Sequence, residues 1–429
     1  MTSFATAKTL GSRWLLAGML LLLGGLVTPA MAGVSWSPYD DFSTGVIDAT
    51  KWTPLETVRE IRSGKLVSSL RAVSSPGQPN NELQFANPST ITSFQADVRL
   101  NAYTAPPGGS SRIRLRGGFY GSGTSGTGKT GDIAAEIALT AGATNGIGYA
   151  VFRCTNSDCS SVTDVIPFTS LSPTVTLGQA YTLGIAWDGS VFTFSLNGVA
   201  TAPVDPKTAA PITRATPTVL ERVLASQLRF VNAGGMGSVA GDFANVYVNG
   251  ALYDNFSGSR LDPARWASLD VVSEIQNGAW VSKAAAAGQA GEVTRAKNRL
   301  YFLNQNAVTA AKADLTVTAV QTSANASAQV RVFGGAFYND GASTGTSDYT
   351  GDVAAYFRII STDGGPLQVN FQVERYEETN GDIATVIADE TLGTVNVGET
   401  HTLQMSWDGS AFTYQLDGGA PRTFDPKPF

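Results

Sequence analysis

Apolar and polar residues alternate along much of this chain. Tyr181, Leu183, Ile185 and Trp187 are apolar at every second position, and Phe192, Phe194 and Leu196 resume the pattern after Asp188-Gly189. A period of two marks a strand with one buried face, and Asp-Gly turns tightly because glycine accepts φ > 0. This block predicts a β-hairpin. Phe94 to Leu100, Arg112 to Phe119, Tyr149 to Phe152, Leu367 to Val373 and Leu403 to Trp407 alternate in the same way, between clusters of Gly, Pro and Asn. Helical spacing is scarce. Asp132 to Leu139 has a helix-compatible composition, but its counterpart Asp352 to Ile360 is β-branched and aromatic, so both are read as strands.

The pattern is also written twice. Asp41-Phe42-Ser43, Ile47-Asp48, Trp52, Leu55, Val58, Glu60-Ile61 and Gly64 return 214 residues later as Asn255-Phe256-Ser257, Leu261-Asp262, Trp266, Leu269, Val272, Glu274-Ile275 and Gly278. Arg114 with Gly117-Gly118 matches Arg331 with Gly334-Gly335, and Gly131-Asp132 matches Gly351-Asp352. Trp187-Asp188-Gly189-Ser190 with its following strand returns as Trp407-Asp408-Gly409-Ser410. Two tandem copies of one domain are the simplest account.

The opening Asp41-Phe42 to Trp52 and the closing Trp187-Asp188-Gly189 hairpin resemble the concanavalin A-like lectin/glucanase superfamily, particularly its laminin-G-like jelly rolls. The opening is also similar to the start of family-16 glycoside hydrolases. The resemblance covers nearly the whole chain after its N-terminus, and it implies an all-β fold of two tandem antiparallel β-sandwich (jelly-roll) domains. The expected boundaries are 33–250 and 251–429. The second copy has only Pro428 and Phe429 where the first has Thr208 to Gly250, so it is expected to lack its C-terminal strands. In jelly rolls of this kind the last strand commonly pairs near the first. An open edge follows, read as a truncated gene product, with a donated strand or self-association through that edge as the alternative.

The N-terminus has its own pattern. Lys8 and Arg13 precede an apolar run from Trp14 to Val27 and the small residues Ala30-Met31-Ala32. This is the layout of a secretory signal peptide over residues 1–32. The run is about 14 residues, short of the roughly 20 a spanning helix needs. A secreted, periplasmic or cell-surface protein without membrane insertion is expected. Its loss of two cations takes the net charge from −6 to −8. Only 15% of the residues are charged, and no run of Lys or Arg could track a phosphate backbone, which argues against nucleic acid. A single histidine and two cysteines are too few for a His- or Cys-rich metal site.

Several residues carry candidate chemistry. Gly123 to Thr130 matches the phosphate-binding GxxxxGK[ST] pattern, but the segment after it reads as strand and the second copy has no Lys there, so a Gly-rich loop is expected. Family-16 hydrolases place their carboxylates in E-x-D-x-x-E, and no E-x-D occurs in this chain. Asp132 and Glu136 share a strand face but sit about 13 Å apart at about 3.3 Å per residue. His401 falls at the inward position held by Tyr181 in the first copy, which predicts a packed or satisfied histidine. Cys154 and Cys159 are expected to form a local disulfide in an oxidising compartment. Trp52, Trp266, Trp187 and Trp407 recur at fixed repeat positions and read as core aromatics, while Trp36 and Trp280 are freer. Tyr120 and Tyr338, with Asp132 and Asp352 beyond the Gly-rich loops, are the expected ligand rim. Asp40, Asp41 and Asp242 are candidate calcium ligands if first and last strands adjoin, as in similar jelly rolls, with only Asp254 in the second copy.

These features predict a non-catalytic binding protein for carbohydrate or another extracellular polymer, with a polysaccharide or glycan as partner. A carbohydrate-active enzyme and a structural or adhesive surface protein are the alternatives.

Overall fold

The computed structural model describes residues 36–73, 78–123, 126–232, 234–287, 296–341, 348–379 and 384–427. The leader expected over residues 1–32 and positions 124 and 125 of the Gly-rich loop lie outside the described residues. The described residues divide into two compact units, one of Pro38–Gln305 and one that contains residues 306–427. Among the described residues the regular structure is β-strand, apart from two 3-10 turns at Pro88–Thr90 and Gln305–Ala307.

The unit Pro38–Gln305 contains β1 (Trp52–Thr53), β2 (Thr57–Arg62), β3 (Lys65–Val73), β4 (Asn80–Gln84), β5 (Ser93–Thr104), β6 (Ser110–Gly121), β7 (Asp132–Gly142), β8 (Gly146–Cys154) and β9 (Val162–Ser172). It continues through β10 (Tyr181–Trp187), β11 (Phe192–Leu196), β12 (Val199–Ala200), β13 (Arg222–Arg229), β14 (Met236–Val248), β15 (Ala251–Asp254), β16 (Val271–Gln276), β17 (Ala279–Ala284) and β18 (Tyr301–Phe302). A ten-stranded antiparallel sheet runs β12-β11-β10-β5-β14-β3-β2-β16-β17, with β15 on β14. A six-stranded sheet runs β4-β13-β6-β7-β8-β9. The inward positions of both sheets, among them Val98, Leu183 and Phe243 from one and Leu115, Ile137 and Leu224 from the other, share a single buried core. The result is an antiparallel β-sandwich.

The alternation explains each strand. On β6 the apolar Ile113 and Leu115 enter the core, and on β7 Ile133, Ala135, Ile137 and Leu139 do the same. The segment with helix-compatible composition is therefore a strand, in register with β6 on one side and β8 on the other. The β10–β11 hairpin forms at Asp188-Gly189, where Gly189 has φ +95° and Asp188 Oδ1 accepts the N–H groups of Ser190 and Val191.

The compact unit continues past Gly250, where sequence similarity draws the repeat boundary. β16, from the second copy, pairs with β2 of the first. Val58 faces Val272, with Arg59 against Val271 and Thr57 against Ser273 on either side. These positions are equivalent by the 214-residue offset, so two copies of the same strand meet about a local twofold. Each would otherwise present an unpaired edge there. The aromatic contacts of the two repeated openings cross in the same way. Trp266 packs on Phe85 of the first copy at 4.7 Å, and Trp52 packs on Phe302 of the second, also at 4.7 Å.

In the other unit, β19 (Ala310–Thr316), β20 (Ser327–Asn339), β21 (Asp352–Thr362), β22 (Leu367–Tyr376), β23 (Ala384–Val395), β24 (Thr400–Trp407), β25 (Phe412–Leu416) and β26 (Arg422–Phe424) form two four-stranded sheets. Their orders are β19-β24-β25-β26 and β20-β21-β22-β23. Phe357, Val369, Phe371, Leu403, Met405 and Phe412 fill the core between them. Among the described residues β19 and β20 each pair on one side only, whereas β5 and β6 pair on both.

Candidate functional site

The expected ligand rim does not form in the first copy. Tyr120 is fully buried, its ring stacked 5.1 Å from Trp187 and its hydroxyl donating to the Ala210 carbonyl at 2.9 Å. A β-bulge between Gly118 and Tyr120 breaks the alternation, so both Phe119 and Tyr120 face the core. Burial pushes the Tyr120 phenol above its ordinary range. Asp132 is also buried, accepting from Arg214 at 3.0 Å and from the N–H groups of Thr218 and Val219, which makes it a loop anchor. Tyr338 is half-buried and stacks on Trp407 at 5.2 Å, and Asp352 accepts from Asn339.

The three aspartates considered for calcium have separate partners. Asp40 accepts the Trp52 indole N–H at 2.6 Å, Asp41 accepts from Ser43, and Asp242 accepts from Asn101 with Lys65 and Arg99 nearby. Among the described residues no group of three or more His, Cys, Asp or Glu is placed to hold a metal ion. Asp254 repeats the Asp40 role, accepting from the Trp266 indole at 2.7 Å. The disulfide Cys154–Cys159 is formed. His401 Nδ1 lies 2.8 Å from Asp417, which satisfies that nitrogen.

The structure presents another site, on the outer face of the six-stranded sheet. Since Ile113 and Leu115 point inward, Arg112, Arg114 and Arg116 all point outward from β6. Register places Arg114 between Ala225 and Ala138, with Glu82 and Gly148 one strand further on, and places Arg116 against Glu136 with Ala150 beyond. Small residues beside long ones leave a trough of about 410 Å³. Ligand sites of small molecules commonly measure about 300–1,000 Å³. Phe168 closes one side so tightly over Gly148 that a Cβ there would lie 2.6 Å from its ring. Asp158, Cys159 and Ser160, on the loop the disulfide closes, line the trough together with Phe152 and Asp164.

A buried ionic network forms its floor. Glu136 accepts from Arg112 at 2.9 Å and from Arg114 at 2.6 Å, and Arg114 also donates to Asn80 at 3.0 Å. Arg116 lies 3.5 Å from Glu221, which pairs with Lys129 at 2.5 Å. Lys129 of the Gly-rich loop is thus a partner of a carboxylate. Burial alone would raise the Glu136 carboxyl, but the guanidiniums of Arg114, Arg112 and Arg116 outweigh it and hold it below the usual carboxylate range. Glu221 is held low in the same way, burial opposing Arg116 and Lys129. Both carboxylates stay ionised, the opposite of what a glycosidic proton donor needs.

Several polar atoms of this floor make no hydrogen bond within the protein. The Nε–H groups of Arg112, Arg114 and Arg116 are buried and donate to nothing, and Glu82 Oε1 and Gln227 Oε1 accept no hydrogen bond. A buried polar atom left unmatched costs about 1–3 kcal/mol. The trough therefore offers donors and acceptors side by side.

No protein-family model matches the sequence, and no curated protein matches it. Among solved structures the chain is similar to alginate lyase A1-II′, a member of polysaccharide lyase family 7, with 14% identity over 48% of this chain and 85% of that one, at a TM-score of 0.30. It is similar to a Bacteroides ovatus mixed-linkage glucan GH16 protein in complex with product, with 13% identity over 48% and 96%, at 0.27. It is also similar to the carbohydrate-binding module CBM66 from Bacillus subtilis, with 12% identity over 46% and 94%, at 0.22.

Proposed function

We propose that this is an exported glycan-binding protein of two tandem sandwich modules, and that the trough on β6–β9 binds a hydroxyl-rich saccharide without cleaving it. The observation that carries the reading is a single trough lined by Arg112, Arg114 and Arg116 as hydrogen-bond donors and by Glu82 and Gln227 as acceptors, side chains whose hydrogen-bonding capacity the protein does not fully use. A sugar hydroxyl both donates and accepts, so a polyhydroxylated ligand matches both kinds of atom at once. The ionised state of Glu136 and Glu221 favours binding over glycosidic hydrolysis. The tripartite N-terminus and the Cys154–Cys159 bridge support an oxidising setting outside the cytoplasm.

The test is retardation of the full chain in gels containing a panel of neutral and acidic polysaccharides, beside Ser160→Trp. Ser160 is an exposed loop residue on the trough wall, so a tryptophan there fills the cavity without entering the core. Retention of the native chain on a neutral polysaccharide that Ser160→Trp abolishes is the expected result. Equal retention of both proteins on every polysaccharide of the panel would reject the trough as the site.

A further inference from the structure

The second unit carries a different polar face at the corresponding strands. Arg331 on β20 stands directly opposite Arg358 on β21, and Arg358 stands opposite Asn370 on β22. Like charges directly opposite on neighbouring strands destabilise a sheet, their Cβ atoms being about 4.5–5.5 Å apart. In the first copy the same place holds Arg114 opposite Ala138, and Glu136 supplies the anion between Arg112 and Arg114. By the repeat offsets Ala138 becomes Arg358 and Glu136 becomes Tyr356. One cation is gained there and the protein's own carboxylate is lost.

The carboxylates that act on Arg358 are Asp389 and Glu374, neither in salt-bridge contact with it. Arg331 lies over the Tyr356 ring at 4.6 Å, and the Tyr356 hydroxyl is engaged with Tyr376 at 2.6 Å. Arg358 donates to Asn370 at 2.8 Å and to Gln329 at 3.1 Å. Neither arginine has an ion-pair partner among the described residues, and Asp389 is held by Asn370 and Gln372. Beside them Gln372 is 6% exposed, and its Oε1 accepts no hydrogen bond. Two facing guanidiniums without a salt-bridged carboxylate between them favour an anion from outside.

We propose that the outer face of β20–β22 binds an acidic sugar unit, its carboxylate held by Arg331 and Arg358. Arg suits this because its planar fork matches a carboxylate, and stacking on Tyr356 fixes the Arg331 plane. The site belongs to a different compact unit from the trough and uses none of its residues.

The experiment measures affinity of the full chain for polygalacturonate, dextran sulfate and dextran by titration calorimetry, with Arg331→Gln, Arg358→Ala and Ser160→Trp. Expected are binding of polygalacturonate that weakens with added salt, a loss of about tenfold in each arginine variant, and no loss in Ser160→Trp. Arg358→Ala installs the residue of the first copy, and without ligand it is expected to melt at or above the native temperature because a like-charge contact is gone. A purely structural arginine would melt lower when removed, so that outcome overturns the proposal. Unchanged affinity in both arginine variants overturns it too. Equal affinity for dextran sulfate overturns the carboxylate assignment, and loss confined to Ser160→Trp assigns the acidic polymer to the trough.

Discussion

Replacing Glu136 by glutamine tests the network beneath the trough. The Glu136 side chain is 6% exposed and those of Arg112 and Arg114 are 10% and 3%, so the change leaves two guanidiniums buried without their shared anion. Removing one partner of a buried ionic cluster costs about 3–5 kcal/mol. The nearest carboxylate left to Arg114 is Glu82 at 3.8 Å, and glutamine still accepts one hydrogen bond, so the lower figure is expected for Glu136→Gln and the upper for Glu136→Ala. A unit of this size loses about 2–4 °C per kcal/mol, which puts the Glu136→Gln melting shift at roughly 6–12 °C. Differential scanning calorimetry of the full chain reads it, with Tyr356→Phe as a control confined to the other unit. The pH dependence has a definite sign. The folded Glu136 carboxyl is lowered, so its stabilisation is complete above the unfolded value near 4.5 and is lost as pH falls through the folded value. The gap between native protein and Glu136→Gln must narrow in acid. Replacing Arg112, Arg114 and Glu136 together by apolar residues of similar volume is expected to recover most of the loss. A loss under about 1 kcal/mol for Glu136→Gln, the size of an exposed pair, would refute the reasoning.

Other outcomes follow from single contacts. Gln227→Met removes an unmatched buried acceptor, so chemical denaturation should show unchanged or higher stability while saccharide affinity falls severalfold. Trp266→Ala is expected to cost about 3–5 kcal/mol, because a fully buried indole on Phe85 and Phe256 leaves a cavity, and equilibrium urea unfolding measures it. Reducing Cys154–Cys159 frees the loop bearing Asp158 and Ser160, so reduction should weaken saccharide binding more than it lowers the melting temperature.

Much of the fold was legible because strands with one buried face print a period of two. The β10–β11 hairpin, the strand nature of Asp132 to Leu139 and the structural tryptophans Trp266 and Trp187 all follow from it. Arg112-x-Arg114-x-Arg116 was equally visible, three cations on the outward face of a strand whose inward face is Ile113 and Leu115. The alternation spreads the charge over every second position, so the segment is not a contiguous basic block. Tyr120 misled for a local reason, since the bulge beside it turns an outward position inward. The pairing of β2 with β16 had no local trace, as the partners lie some 214 residues apart and only equivalence by repeat connects them. Asp40 and Asp254 accept from the indoles of Trp52 and Trp266, a role that their shared spacing of twelve residues already encoded.

The central claim is that the trough lined by Arg112, Arg114 and Arg116 binds a saccharide. The most direct measurement is nitrogen-15 NMR of arginine Nε–H groups during titration with an oligosaccharide of the polysaccharide retained best. Arg59 is the internal control, because its Nε already donates to the Leu269 carbonyl at 2.9 Å. The Nε–H signals of Arg112, Arg114 and Arg116 are expected to shift together and saturate with the binding isotherm, while that of Arg59 stays in place. Saturable binding that leaves those three signals unmoved would contradict the account.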